Sequence, residues 1–219
     1  MHAPPDTAWT SERTLRLAWP DAGDGFPAHA SAWCARIRDE LGPDVTDAVA
    51  GLRSLVLHTD PLAPDRSRIE RRALEIVADA RPSGAQPSRD VEIPVCFDGA
   101  FAPDLRRCRD DAIDRFTAAT YRPALFGFAP GFAYLTGLPS DLHLPRLDTP
   151  RPRVASGSVA IAERFAAVYP GPTPGGWNII GRTPLVMFDH TRPEPALLRV
   201  GDSVRFVPIT TREYESLRP

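Results

Sequence analysis

Apolar residues in the first hundred positions follow two different spacings, one typical of helices and one typical of strands. Apolar positions about four residues apart predict helices over residues 27–41 and 64–80, the second with Asp65 or Ser67 as its N-cap. Short apolar stretches predict strands over residues 13–18, 45–50, 54–59 and 91–97. The resulting order, β-α-β-β-α-β, is that of a ferredoxin-like domain.

The pattern changes in the second half of the chain. Residues 104–120 predict one or two helices, and residues 139–153 form a proline-rich segment without periodicity. Short strands separated by turn residues are predicted over residues 122–126, 158–161, 166–169, 185–188 and 203–208. Many short strands with few helices indicate a barrel or a sandwich. Because residues 81–90 are typical of a flexible loop or linker, we expect two domains, residues 1–92 and 93–219.

Two stretches are rich in glycine, proline and aromatic residues, namely residues 126–135 and 169–184. Proline fixes φ and removes a backbone donor, glycine permits positive φ and close backbone approach, and aromatic rings supply rigid apolar surface. A plain connection between two strands is far shorter. We therefore interpret both stretches as walls of a pocket or of an interface, with an aromatic lining that includes Phe128 and Phe132.

The composition excludes several classes of function. With 219 residues, of which 42% are hydrophobic and 25% charged, the chain is typical of globular proteins, and its net charge of -2 provides no basic field for nucleic acid. No apolar run approaches the roughly 20 residues of a membrane-spanning helix. The first residues also lack the pattern of a secretory signal, so we expect a cytoplasmic protein. All 26 basic residues are arginine, which excludes mechanisms that need a lysine on this chain.

Neither cysteine nor histidine indicates a metal site. Cys34, Cys96 and Cys108 form no C-x-x-C pair, and the 5 histidines are scattered without a metal-binding spacing. We therefore expect reduced cysteines and no bound metal.

Three arginines are the candidates for anion binding: Arg151, Arg153 and Arg182. A guanidinium group holds a carboxylate or a phosphate through two parallel hydrogen bonds. Residues 176–183 resemble a P-loop with arginine in place of lysine, but a strand-like segment follows where a P-loop has a helix. We interpret the glycines of that segment as turn residues beside a site.

Three motifs occur in order along the second half: GFAPGFAYL at residues 127–135, PRVASGSVAIA at 152–162 and PGGWNIIGRTPL at 174–185. Together with VEIPVC at 91–96 and PALLRVGDSVRFVP at 195–208, they resemble the B component of the bacterial ATP-dependent 5-oxoprolinase. That family includes the sporulation kinase inhibitor KipI and the subunit 1 region of allophanate hydrolase and urea carboxylase proteins.

The resemblance implies an α+β protein with a small N-terminal domain and a C-terminal cyclophilin-like β-barrel. It implies a complex with a homologous, KipA-like C component and a separate A component, which uses ATP to hydrolyse 5-oxo-L-proline to L-glutamate. Within that complex, our hypothesis is that Arg151, Arg153 and Arg182 are catalytic and stabilise developing negative charge. The motif residues expected to bind the substrate are Gly127, Phe128, Pro130, Gly131, Tyr134, Ser158, Pro174, Gly175, Gly176, Trp177, Asn178 and Thr183.

Two positions depart from the usual pattern of that family. Phe116 stands where relatives commonly carry a histidine, and Phe165 stands where they carry a glutamine, so hydrogen-bonding groups are lost at both positions. A different small amide or lactam substrate is therefore an alternative, as is a non-catalytic role. Two further alternatives are a KipI-like inhibitor that binds a sensor histidine kinase, and a carboxyltransferase-type protein of urea or amide metabolism whose partner carries biotin.

Overall fold

The structure is a computed structural model that describes residues 4–23, 26–62, 65–79 and 88–218. The chain divides into two compact units, residues 1–87 and 88–219. The domain boundary expected after residue 92 falls inside a strand, Asp90–Cys96, that pairs along its whole length within the second unit. Most of the predicted linker, residues 81–87, lies outside the described residues, as do the two end residues of the predicted helix 64–80.

The first unit is a four-stranded antiparallel sheet with two helices. In chain order its elements are β1 (Asp6–Ser11), β2 (Thr14–Ala18), α1 (Phe26–Leu41), β3 (Val45–Ala50), β4 (Ser54–Thr59) and α2 (Arg66–Ala78). Leu15 and Leu55 from the sheet and Ile37 and Ile76 from the helices are fully buried in one core. Asp65 caps α2 as predicted, because its side chain accepts a hydrogen bond from the first helical turn.

The strand order of this unit, β1-β2-β4-β3, departs from the ferredoxin-like prediction at one position. Residues 91–97, predicted as the fourth strand, belong to the second unit as β5 (Asp90–Cys96). The edge beside β2 is taken by β1, which is mostly exposed and polar, as suits an edge strand. Ile93 and Val95 of β5 are fully buried in the larger core of the second unit, which explains why this strand pairs there.

The second unit contains a seven-stranded sheet of order β13-β5-β12-β9-β10-β7-β6 and a two-stranded ribbon of β8 and β11. After β5 its elements are α3 (Ala112–Ala118), β6 (Arg122–Phe126), β7 (Ala133–Thr136), β8 (Arg151–Val154), β9 (Ser158–Ala162), β10 (Phe165–Val168), β11 (Thr173–Gly175), β12 (Asn178–Arg182), β13 (Ser203–Ile209) and α4 (Thr211–Leu217). Both glycine- and proline-rich stretches therefore contain strands, β7 in the first and β12 in the second, that the sequence pattern did not predict.

The two edges of the large sheet meet. Tyr121, directly before β6, exchanges two backbone hydrogen bonds with Val204 of β13, with N···O distances of 2.8 and 2.9 Å. A sheet whose edge strands pair with each other is a barrel. The predicted architecture, an α+β chain with a small N-terminal domain and a C-terminal barrel, is confirmed.

The strand predicted over residues 185–188 does not form. Of these residues, Phe188 makes an isolated bridge to Ala196, while Leu185 and Met187 pack into the barrel core. Their apolar character reflects burial in that core rather than pairing in a ladder. Among the described residues, no helix is both long and apolar enough to cross a membrane.

Candidate functional site

The large sheet is buried on both faces where β9, β10 and β12 run side by side. Successive side chains of a strand point to opposite faces, so Val159 and Ile161 enter the barrel core while Ala160 and Ala162 lie on the outer face. Ala167 of β10 lies on the same outer face. Because alanine side chains are small, large rings can lie close to the backbone on this face.

Six aromatic side chains cover this outer face, and we call them the aromatic cluster: Phe128, Phe132, Tyr134, Phe165, Tyr169 and Trp177. Phe132 is central and only 1% exposed. Its ring centroid lies 5.1 Å from that of Tyr134, 5.4 Å from that of Tyr169 and 5.6 Å from that of Trp177, each edge to face. Such pairs stabilise by about 0.5–1.5 kcal/mol beyond the area that they bury, so the cluster is a well-ordered wall.

A pocket of about 80 Å³ opens at the aromatic cluster. Sites that enclose drug-sized ligands measure roughly 300–1,000 Å³, so this pocket admits a group no larger than a small ring. Its lining residues are Phe128, Phe132, Tyr134, Arg146, Tyr169, Gly175, Gly176 and Trp177. Five of the twelve predicted substrate-binding residues meet here: Phe128, Tyr134, Gly175, Gly176 and Trp177.

Two consecutive glycines form one wall of the pocket, and they differ in what surrounds them. A Cβ atom on Gly175 would lie 2.3 Å from the hydroxyl oxygen of Tyr169, which is far inside van der Waals contact. A Cβ atom on Gly176 would meet nothing closer than 3.6 Å. The first glycine therefore allows the Tyr169 ring to reach the pocket wall, and the second leaves ordinary contact distances.

Phe128 stands at the rim of the pocket in a strained conformation. Its φ of 72° lies in the left-handed region, which costs a side-chain-bearing residue roughly 1–2 kcal/mol. Its ring is 61% exposed, yet lies edge to face with the ring of Phe132 at 5.1 Å. Backbone hydrogen bonds within the loop, from Gly127 to Phe132 and from Phe132 to Ala129, hold this conformation. An exposed aromatic ring in a strained, well-braced loop is typical of a binding surface.

The hydroxyl of Tyr169 is the buried ionisable group of the pocket. Burial raises the pKa of Tyr169, while the backbone N–H of Trp177 and the positive charges of Arg146 and Arg151 act in the opposite direction. Burial is the largest of these influences, so the phenol is neutral at physiological pH and can donate a hydrogen bond.

None of the three predicted catalytic arginines is among the residues that line the pocket. Arg151 forms an ion pair with the buried Asp104, with 2.7 Å between Nη2 and Oδ1. Arg153 is exposed on β8. The guanidinium of Arg182 lies 5.2 Å from the centroid of the Phe101 ring. The role that we assign to these arginines in stabilising negative charge stays a prediction.

The other predicted substrate-binding residues lie around the pocket without lining it: Gly127, Pro130, Gly131, Ser158, Pro174, Asn178 and Thr183. Gly131 has a φ of 78°, and a Cβ atom there would lie 2.6 Å from the Cβ of Phe188. Glycine at this position therefore serves the conformation of the loop rather than contact with a ligand. Thr183 is buried, and its hydroxyl accepts a hydrogen bond from the Leu185 backbone.

Four of the predicted site residues carry a buried polar atom for which the described residues supply no hydrogen-bond partner: Nη1 of Arg151, Oγ of Ser158, Oδ1 of Asn178 and Nε of Arg182. Ser158 and Arg182 are paired across β9 and β12. Since Val159 points into the core, both face outward. Buried polar atoms are nearly always hydrogen-bonded in native proteins, so these four atoms mark positions where a water molecule or another group completes the hydrogen bonding.

The two departures from the family pattern lie in different places. Phe116 is 1% exposed in the barrel core, where its ring stacks on Phe206 at 4.7 Å, on the opposite face of the sheet from the pocket. Phe165 belongs to the aromatic cluster and lies edge to face with Tyr134, a pocket residue, at 5.8 Å. Only the second departure therefore contacts a residue that lines the pocket.

Arg146 and Tyr169 line the pocket but were not among the predicted site residues. Tyr169 opens the second glycine- and proline-rich stretch and was detectable there as one more aromatic residue. Arg146 lies in the proline-rich segment 139–153, whose lack of periodicity offered no signal. Within the described ranges, no group of three or more histidine, cysteine, aspartate or glutamate side chains is placed to hold a metal ion.

Comparison with known families gives one clear match. The family described as "Carboxyltransferase domain, subdomain C and D" matches residues 6–198. The chain is 35% identical over 211 residues to the B component of 5-oxoprolinase from Bacillus subtilis (strain 168). The matched region covers 87% of this chain and 85% of that protein. The chain is 41% identical over 174 residues to the B component of 5-oxoprolinase from Escherichia coli O157:H7, which covers 76% and 79% of the two chains.

Solved structures agree with these matches. A crystal structure of TTHA0988 superposes with a TM-score of 0.77 at 32% identity and covers 90% of this chain. The present chain spans only 40% of the length of TTHA0988. The urea carboxylase of Kluyveromyces lactis superposes with a TM-score of 0.73 at 16% identity, and this chain spans 22% of its length. At that identity the likeness concerns the fold alone.

Proposed function

This chain belongs to the carboxyltransferase-domain family of subdomains C and D, and from that membership we propose that it is the B component of an ATP-dependent 5-oxoprolinase complex. One observation carries the proposal, namely the identity of 35–41% to proteins named as the B component of 5-oxoprolinase over most of both chains. The motif resemblance found in the sequence points to the same family. The partners would be a homologous C component and a separate A component.

The proposed reaction converts 5-oxo-L-proline, ATP and water into L-glutamate, ADP and phosphate. A ring amide is a poor electrophile, because resonance delocalises the nitrogen lone pair into the carbonyl. Attack of the amide oxygen on the γ-phosphorus of ATP forms a C–O–P link and releases ADP. Water then adds to the same ring carbon and the ring C–N bond breaks, which leaves the acyl phosphate of glutamate. A second water attacks the carbonyl of this acyl phosphate, and phosphate leaves with the former amide oxygen. Phosphorylation thus removes amide resonance and creates a leaving group.

The pocket supports a small amide substrate rather than a nucleotide. A volume of about 80 Å³ accepts a small ring and is far below the roughly 300–1,000 Å³ of sites for larger ligands. We therefore assign ATP to another part of the complex.

An incomplete pocket is the reason to expect a partner. Phe128 stands 61% exposed at the rim, and an exposed aromatic ring beside an apolar pocket favours burial by another protein surface. We propose that the C component covers this rim and completes the site. A sensor histidine kinase could use the same surface, so the KipI-like alternative must be tested against the proposal of an enzyme component.

The test is complex formation followed by substrate-stimulated ATP hydrolysis. We expect this chain and its homologous C component to elute together as one species of defined mass in size-exclusion chromatography with light scattering. Addition of the A component should then make ATP hydrolysis depend on 5-oxo-L-proline. Autophosphorylation of sensor histidine kinases from the same genome should be unchanged by this chain. Inhibition of a kinase together with failure to bind the C component would replace the proposal with the inhibitor alternative.

A further inference from the structure

The chain segment that carries Arg146 is held on both sides by the second glycine- and proline-rich stretch. The carbonyl of Pro145 accepts a hydrogen bond of 2.9 Å from Nδ2 of Asn178. The backbone N–H of Leu147 donates to the carbonyl of Gly176 at 2.7 Å. Asn178 is fully buried, so its hydrogen bond cannot exchange readily with water. The two bonds fix the backbone of Arg146 beside the pocket that its side chain lines.

Arg146 has a charge that the described chain does not neutralise. The described residues provide no carboxylate in ion-pair contact with it, in contrast to Arg151, which pairs with Asp104. Its positive charge acts on the hydroxyl of Tyr169 inside the pocket. An exposed guanidinium without a counter-charge, carried on a fixed backbone at the edge of an apolar pocket, is suited to an anionic group on a ligand whose apolar part enters that pocket.

The walls define the apolar part of that ligand. Phe132, Tyr134 and Trp177 present rings edge to face, and the Gly175–Gly176 wall adds backbone surface without side chains. Flat faces and a volume of about 80 Å³ fit a small planar ring or amide. The hydroxyl of Tyr169, which stays neutral, can donate a hydrogen bond to an amide oxygen.

We propose that this pocket binds small cyclic amides bearing a carboxylate, with Arg146 as the specificity-determining residue that receives the carboxylate. This inference rests on the proposed function and deepens it, because 5-oxo-L-proline belongs to that class. Asn178 and Gly176 are positioning residues that hold the Arg146 backbone. The ring carboxylate pairs with the guanidinium through two parallel hydrogen bonds, and the ring enters between the aromatic walls.

The kinetic test compares two substrates in the complete complex. 5-Oxo-L-proline carries the carboxylate, and 2-pyrrolidinone is the same ring without it. We expect Arg146→Gln to lower kcat/KM for 5-oxo-L-proline about 10- to 100-fold, the equivalent of one charge-assisted bidentate pair. The kcat/KM of Arg146→Lys for 5-oxo-L-proline should lie between those of the wild type and Arg146→Gln, because lysine keeps the positive charge but cannot form two parallel hydrogen bonds. We expect 2-pyrrolidinone, which lacks the carboxylate, to stimulate ATP hydrolysis more slowly than 5-oxo-L-proline and to the same extent in all three proteins.

The matched control is Arg122→Gln, which removes an exposed arginine at the start of β6 that does not line the pocket. It should leave both substrates unaffected. Equal losses on both substrates in Arg146→Gln, or no loss on either, would overturn the assignment of Arg146 to the carboxylate.

A binding measurement separates this inference from the proposed function. Trp177 lines the pocket, whereas the other tryptophans of the 4 in the chain lie in the first unit. In the complex, with this chain alone labelled with 5-fluorotryptophan, the ¹⁹F resonance lost in Trp177→Phe identifies the pocket reporter. We expect 5-oxo-L-proline to shift this resonance saturably, and Arg146→Gln to weaken that binding about 10- to 100-fold.

The two failures then look different. If the complex binds 5-oxo-L-proline at Trp177 in an Arg146-dependent way but does not turn it over, the proposed function fails and the ligand class stands. If the complex turns 5-oxo-L-proline over while the Trp177 resonance stays unchanged at saturating substrate, the pocket assignment fails and the proposed function stands.

Discussion

The wall made of Gly175 and Gly176 offers a matched pair of substitutions that test the packing of the pocket. In Gly175→Ala the new methyl group would lie 2.3 Å from the Tyr169 hydroxyl oxygen and 2.9 Å from two of its ring carbons. Tyr169 is 1% exposed, and its ring is held edge to face by Phe132 at 5.4 Å. The ring therefore cannot swing away without disturbing the aromatic cluster.

The change in the free energy of unfolding caused by Gly175→Ala follows from two opposing effects. Overpacking of a well-packed site costs about 1–3 kcal/mol. Replacement of glycine by alanine also stabilises by about 0.4–1 kcal/mol through the unfolded chain, wherever the backbone conformation suits alanine. Neither glycine has a positive φ, so that gain is common to both variants. Gly176→Ala, whose nearest contact is 3.6 Å, should show the gain alone. We therefore expect the two variants to differ by about 1–3 kcal/mol in the free energy of unfolding.

The assay is urea unfolding followed through the 5-fluorotryptophan resonance of Trp177. This signal reports on the second unit, while the other tryptophans report on the first. We expect a lower midpoint for Gly175→Ala than for the wild type, and an equal or higher midpoint for Gly176→Ala. Equal free energies of unfolding in the two variants, within about 0.5 kcal/mol, would refute the close approach of Tyr169 to Gly175.

Two further predictions concern buried polar groups. Asp104 accepts a hydrogen bond from the Ile179 backbone at 2.7 Å and forms an ion pair with Arg151 at 2.7 Å. Asp104→Ala should therefore lower the free energy of unfolding by about 3 kcal/mol, and Asp104→Asn by roughly half as much. Unchanged urea midpoints in both variants would contradict this role of Asp104. Burial raises the pKa of Tyr121, so its neutral form stabilises the fold fully below about pH 10, and this stabilisation is lost progressively as the pH rises further. Because the chain has no lysine, Tyr121→Phe should visibly flatten the decline in the free energy of unfolding between about pH 10 and 11.5. An unchanged slope in urea titrations at alkaline pH would count against this role of Tyr121.

The sequence predicts the short strands whose ends are marked by turn residues, such as Gly51 after the first of them and Gly127 after the last. The strands expected over residues 45–50, 54–59 and 122–126 have those bounds in the structure. The sequence pattern did not predict β12, because four consecutive residues from Asn178 to Gly181 are buried and no polar face marks the strand. The apolar residues 185–188 mislead for another reason, since Leu185 and Met187 pack into the barrel core without joining a ladder and Val186 is exposed.

The site is predicted in its chemistry more than in its geometry. Glycine, proline and aromatic content identified Phe128 and Phe132 as lining residues, and the family motifs added Tyr134 and Trp177. These four residues do meet in one pocket. The position of Arg146 could not be predicted, because it depends on a hydrogen bond from Asn178 to a carbonyl 33 residues away. Contacts of that range follow from the register of strands and loops in the folded barrel, which no local pattern encodes.

The formation of glutamate from 5-oxo-L-proline and ATP is the most direct test of the account. It should be measured with this chain and the A and C components together, and again with this chain left out. We expect glutamate and ADP in equal amounts from the complete mixture and no glutamate without this chain. Glutamate formation at the same rate in its absence, or none from a stable complex of all three proteins, would contradict the assignment of this chain as the B component of a 5-oxoprolinase.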